Sequence, residues 1–164
     1  MNVPPSPGHD WKQSLAALAG KRVVLVGIGR RDSGDDGVGP LVVELLRART
    51  SLSLLDAQTT PENFIGPIAR ATPDVVLLVD AAAFSAPPGE VRLFQGPDLD
   101  ETDFTTHAMS PRLFLDFLAQ RTGARTLLLA VQPARTGPAV PMSPPVHDAA
   151  RSIADFLARL FPSA

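Results

Sequence analysis

Two short runs, VVLVGI at Val23–Ile28 and VVLLVD at Val75–Asp80, are apolar at almost every position. A strand with one wet face alternates apolar and polar residues, whereas a run that is apolar on both faces has to be covered on both sides. These segments therefore read as central strands of a sheet flanked by helices, the first of them extending from Arg22 to Ile28. Ser53–Ala57, Val91–Gln95 and Thr126–Gln132 have the length and composition of three further strands.

Helix starts are marked between them. Gly39–Pro40, Thr60–Pro61, Ser110–Pro111 and Ser143–Pro144 each put a capping residue before a proline, whose missing N–H is harmless at the first helical position. In the last of these helices Val146, Ile153, Leu157 and Leu160 fall on one stripe able to pack on a sheet. Pro67 lies inside the second and is expected to kink or split it. Before the first strand, Asp10 can cap a short helix that presents Trp11, Leu15 and Leu18 on one face and ends at Gly20.

Strands and helices thus alternate along most of the chain. This predicts an α/β fold: a single three-layer domain with a mostly parallel, five-stranded twisted sheet and helices on both faces. Residues 1–20 form an N-terminal tip and short helix, and residues 21–164 the α/β domain. In such sheets strands one and three commonly lie side by side, and ligands bind at the strands' carboxyl ends where the connections diverge. The loop after strand one and the end of strand three then face one crevice.

Composition removes several classes of function. The 164 residues carry a net charge of −2 with no Lys/Arg-rich block, so the counterion release that drives nucleic-acid binding has no source. There are no cysteines, which excludes disulfides, thiolate metal cages and a Cys nucleophile, and costs a cytoplasmic chain nothing. The N-terminal stretch has neither the basic start nor the apolar length of a signal peptide or membrane span, so no membrane role is expected. HExxH and GxSxG motifs are absent.

The first strand runs into GIGRRDSGDDGVGP, Gly27–Pro40. A dinucleotide fingerprint would place its third glycine at position 32, which is Asp32, and Asp35 and Asp36 follow toward the helix start. Carboxylates there repel a pyrophosphate. The Asp pair has two readings: charge that favours a helix N-terminus, or at least one carboxylate projecting toward a cation. Asp80, ending an apolar strand, is costly to bury unless it hydrogen-bonds a turn or meets a cation. His107 stands in the connection before a helix; His9 and His147 do not meet the crevice in this topology. Together Asp36, Asp80 and His107 offer two hard oxygens and an imidazole, a set able to hold a divalent first-row metal with positions left open.

From Arg22 to the last helix the chain resembles the nickel–iron hydrogenase maturation proteases, the hydrogenase 3 maturation endopeptidase group in particular. The resemblance rests on VVLVGIG, GDDGVGP, PENF, LLVDAAAF, PGEVRLF, TTHAMSP, LLAVQP and PMSPPVHDA, in order. It implies an endopeptidase that removes a C-terminal extension from a nickel-loaded hydrogenase large-subunit precursor. It also implies that Asp36, Asp80 and His107 are both the catalytic residues and the ligands of nickel supplied by that precursor. Arg30 stands where the family has Asn, adding positive charge to the loop, and Asp35 and Arg30 become positioning groups. The alternative reading is a non-catalytic, metal-dependent binding module or chaperone of hydrogenase assembly.

Overall fold

The computed structural model describes residues 10–99 and 110–164. Five strands, β1 (Val23–Ile28), β2 (Ser53–Gln58), β3 (Val75–Ala81), β4 (Val91–Gln95) and β5 (Arg125–Val131), form one sheet in the order β2-β1-β3-β5-β4. β1 pairs in parallel with β2 and β3, and β3 with β5. β4 runs antiparallel along β5 at one edge. The two runs that are apolar on both faces, β1 and β3, are buried at every position, as their patterning requires.

The helices are α1 (Trp11–Ala16), α2 (Val38–Leu46), α3 (Ile65–Arg70), α4 (Pro111–Thr122) and α5 (Pro144–Leu160). Strand residues of alternating parity feed two separate cores. Val23, Leu25, Leu77 and Val79 join residues of α1, α2 and α5 on one face. Val24, Val26, Val76 and Leu78 join Ile68 of α3 and Phe114, Leu115 and Leu118 of α4 on the other. The period of two in strand side-chain direction thus makes the three layers. Val146, Ile153 and Leu157 of the α5 stripe are fully buried, and Leu160 lies partly exposed at its end.

Two helix starts differ from the proline signals. α2 begins at Val38, because a 3-10 turn at Asp35–Gly37 leads into it, and Pro40 occupies the third helical position, where its missing N–H still costs nothing. The chain after Thr60 likewise opens as a 3-10 turn, Pro61–Phe64, and becomes α-helical only at Ile65. The split therefore falls before Pro67, which lies in the first turn of α3. Ser110 caps α4 through Leu113 N–H at 3.2 Å and Asp10 caps α1 through Gln13 N–H at 3.1 Å. Ser143, at the head of α5, makes no such bond to its own helix.

Glycine sets how closely α2 approaches the sheet. A Cβ on Gly39 would collide with the carbonyl oxygen of Val79 in β3 and stand 2.5 Å from Ile28 N and O in β1. Only a bare backbone lets the helix start descend onto the carboxyl ends of both central strands. The Asp35–Asp36 turn descends with it.

Candidate active site

β1 and β3 are direct neighbours, with Gly27 opposite Val79, so their carboxyl ends open side by side. Asp80 follows Val79 within β3 and is 6% exposed. The 3-10 turn carrying Asp36 packs against β3. Asp36 is half-buried, and its Oδ2 accepts the Arg30 N–H at 2.9 Å. That bond closes the loop on itself across six residues. It depends on Gly29, whose φ of +133° belongs to glycine and where a Cβ would overlap the Asp36 carbonyl oxygen.

Two of the three carboxylate and imidazole groups expected from sequence, Asp36 and Asp80, thus come to one end of the sheet on neighbouring elements. His107 lies outside the described residues. Among the described residues no three His, Cys, Asp or Glu side chains form a metal-binding group. Asp36 and Asp80 by themselves supply hard, acceptor-only oxygens; a cation brought to them needs most of its coordination from elsewhere.

Asp35, expected as a positioning group, is directed into the molecule. It is fully buried. Its Oδ1 accepts Ser143 N–H at 2.7 Å, its Oδ2 accepts Ala134 N–H at 2.7 Å and Arg135 N–H at 2.9 Å, and the Ser143 hydroxyl lies within 2.9 Å of both oxygens. Its own N–H donates to Arg135 O at 2.9 Å. Burial pushes the Asp35 carboxyl up, but the N–H groups of Arg135, Ser143 and Ala134 and the Ser143 hydroxyl together outweigh it and hold the group below the usual carboxylate range. Ser143 spends its hydroxyl here, which explains why it does not cap α5. Asp35 is a staple between the first loop and the segment leading into α5.

Gln132, directly after β5, is a group to which the sequence reading gave no role beyond ending a strand. Its side chain is nearly buried, and its Oε1 accepts Phe84 N–H at 2.7 Å, fixing the chain that leaves β3. The signal was available, since a polar residue ending an apolar strand is the same pattern that singled out Asp80.

A mostly parallel sheet covered on both faces, with Asp36 and Asp80 at the carboxyl end of its central strands, defines an α/β domain of the class that binds ligands at that end, and the sequence places the chain more narrowly. Residues 40–159 match the family model of the hydrogenase maturation proteases, a span that includes Asp80 and His107. The chain belongs to that family and is a protease of its kind.

Among its relatives, the hydrogenase 3 maturation protease of Escherichia coli strain K12 is 34% identical over 133 residues, covering 79% of this chain and 85% of that protein. The crystal structure of the [NiFe] hydrogenase maturation protease HycI from Thermococcus kodakarensis KOD1 superimposes with a TM-score of 0.82 at 30% identity, covering 90% of this chain and 97% of the other. The solution structure of the Escherichia coli endopeptidase HycI gives a TM-score of 0.76 at 33% identity, covering 84% and 89%.

Proposed function

We propose that the protein is an endopeptidase that removes the C-terminal extension of a [NiFe]-hydrogenase large-subunit precursor once nickel has been inserted, and that nickel in the precursor is what it recognises. The observation that carries this reading is the convergence of Asp36 and Asp80 at one end of the sheet in a chain of this family. Two carboxylates without a thiolate make a poor permanent home for nickel and a suitable complement to nickel already gripped by the substrate. Asp36, Asp80 and His107 are assigned as that complement. The ion supplies Lewis acidity near the scissile bond. The chain's own part is to orient it: Asp80 from a strand end, Asp36 from a loop closed by its bond to Arg30 N–H. The nickel requirement then acts as a checkpoint, since an unloaded precursor presents nothing for the carboxylates to bind. We assign the step to the cytoplasm; among the described residues no helix is long and apolar enough to cross a membrane.

The test is the mass of a nickel-loaded precursor from the same source after incubation with the protein, beside a nickel-free control. Loss of a C-terminal peptide is expected only from the loaded sample, and at least about 100-fold more slowly with Asp36→Asn, Asp80→Asn or His107→Ala. Equal cleavage with and without nickel, or by all three variants, overturns the reading.

A further inference from the structure

The Arg30–Arg31–Asp32 stretch remains to be explained once Asp36 and Asp80 have been assigned. With Gly29, Gln58 and Thr59 it lines a groove of about 330 Å3 between the loops that follow β1 and β2, next to the Asp36 turn. The groove is held in shape by several bonds. The pairing of β1 with β2 shifts register at Gly27/Ile28, so that Ile28 faces Gln58, and Gln58 itself adopts a φ of +51°. Its carbonyl accepts Gly29 N–H at 2.8 Å and its own N–H donates to Asp56 Oδ1 at 3.2 Å. A bulge and a left-handed non-glycine residue at the end of a strand are features that re-aim side chains beside functional sites.

The two arginines of this groove are not equivalent. Arg31 is committed: its Nη2 and Nε lie 2.6 and 3.1 Å from Asp56 Oδ2, and its Nη1 is 3.4 Å from Glu44. Arg30 is exposed, its N–H taken by Asp36, and among the described residues its guanidinium pairs with no carboxylate. Asp32, also exposed, is anchored through its carbonyl to Ala139 N–H at 2.9 Å. With Arg31 neutralised, Arg30 is the cation left to a ligand, and its planar fork matches the two oxygens of a carboxylate.

We propose that this groove anchors a carboxylate carried by the C-terminal extension of the precursor, with Arg30 as the anchoring residue. The proposal rests on the proteolytic reading above: Arg30 is bonded through its N–H to Asp36, so residues flanking a peptide bond held at Asp36 and Asp80 would lie within reach of the groove. Gln58 and Thr59 on the opposite side offer donors and acceptors to an extended backbone. The carboxylate is either an acidic side chain or the chain terminus.

The experiment uses the full-length, 15N-labelled protein and a synthetic peptide with the sequence of the extension from the same source. Three forms are titrated: the native peptide, one with Asp and Glu replaced by Asn and Gln, and one with an amidated α-carboxyl. The native form is expected to shift the amide signals of Gly29–Asp32 and Thr59. Arg30→Ala is expected to weaken binding about fivefold, with Arg30→Lys recovering part of it and the distant Arg47→Ala none the worse than wild type. Asp32→Asn, which removes the opposing charge, is expected to tighten binding about twofold. Loss of the shifts on side-chain neutralisation identifies an acidic residue as the anchor, and loss on amidation identifies the chain end. Unchanged binding of both neutralised peptides, or of the native peptide to Arg30→Ala, overturns the groove assignment. Cleavage separates the two levels. If the wild type leaves a nickel-loaded precursor intact, the proteolytic reading fails. If it cleaves, and Arg30→Ala cleaves with the same KM, only the groove assignment fails.

Discussion

Asp35 is fully buried and accepts hydrogen bonds from three backbone N–H groups and the Ser143 hydroxyl, whereas Asp36, the next residue, is half-buried and holds the Arg30 N–H. Both stand in one 3-10 turn, where successive side chains are roughly 120° apart about the axis. One turn of backbone therefore sends one carboxylate into the molecule and the other to the crevice. Asp35 ties the loop to residues about a hundred positions away, whereas the Asp36 carboxylate is tied only within the loop, to Arg30 N–H. A doubled acidic residue is here a structural anchor, Asp35, beside the carboxylate to which the proposed function gives a chemical role, and the anchor fixes the turn that carries both.

The comparison breaks most readily at Asp35. Asp35→Ala leaves the N–H groups of Ala134, Arg135 and Ser143 without their acceptor in a dry site, and about 4 kcal/mol of stability is expected to be lost. Urea unfolding measures this, and a loss below about 1 kcal/mol would show that Asp35 is no staple. Asp36→Asn keeps an oxygen able to accept the Arg30 N–H, so its effect on unfolding is expected to stay under about 1 kcal/mol while cleavage is lost. Comparable destabilisation by the two substitutions would erase the distinction between inner and outer carboxylates.

A smaller effect sharpens it. The Asp35 carboxyl is lowered in the folded chain, so its contribution to stability is complete above the ordinary carboxylate range and is lost as pH falls through the folded value. Asp74, held by Arg22, and Asp155, held by Arg49, are lowered too and act in the same direction. Asp74 is held first by the Arg22 N–H and then by its guanidinium, and Asp155 by the Arg49 guanidinium; these exposed guanidinium contacts weaken in salt, whereas Asp35, among the described residues, has no ion pair to screen. In high salt, stability is therefore expected to keep falling from pH 5 to 2 in the wild type and to fall less steeply in Asp35→Asn. Identical slopes would mean that other groups carry the acid sensitivity.

Much of the architecture was legible in the residues because it follows from one-dimensional periodicities. VVLVGI and VVLLVD read as central strands from their patterning, and as parallel neighbours β1 and β3 bring their carboxyl ends together. Asp36 and Asp80 converge for that reason. The strand ends moved by a residue or so: β5 occupies Arg125–Val131 and stops before Gln132, whose side chain is engaged with Phe84 N–H. The head of α2 moved further, since Gly39–Pro40 marks a place where proline is tolerated and the 3-10 turn before it supplies the actual start.

By itself, then, the sequence determined the layers, the adjacency of the first and third strands and the end of the sheet at which the carboxylates lie. These depend on side-chain periods of 2.0 and 3.6 and on where glycine and proline interrupt them. Only the tertiary structure decided which member of the Asp pair turns inward, that Ser143 serves Asp35 instead of its own helix, and that Arg31 is paired with Asp56 while Arg30 is left exposed. Those outcomes depend on the phase of a single turn and on partners up to 108 positions away, and neither is encoded in local spacing.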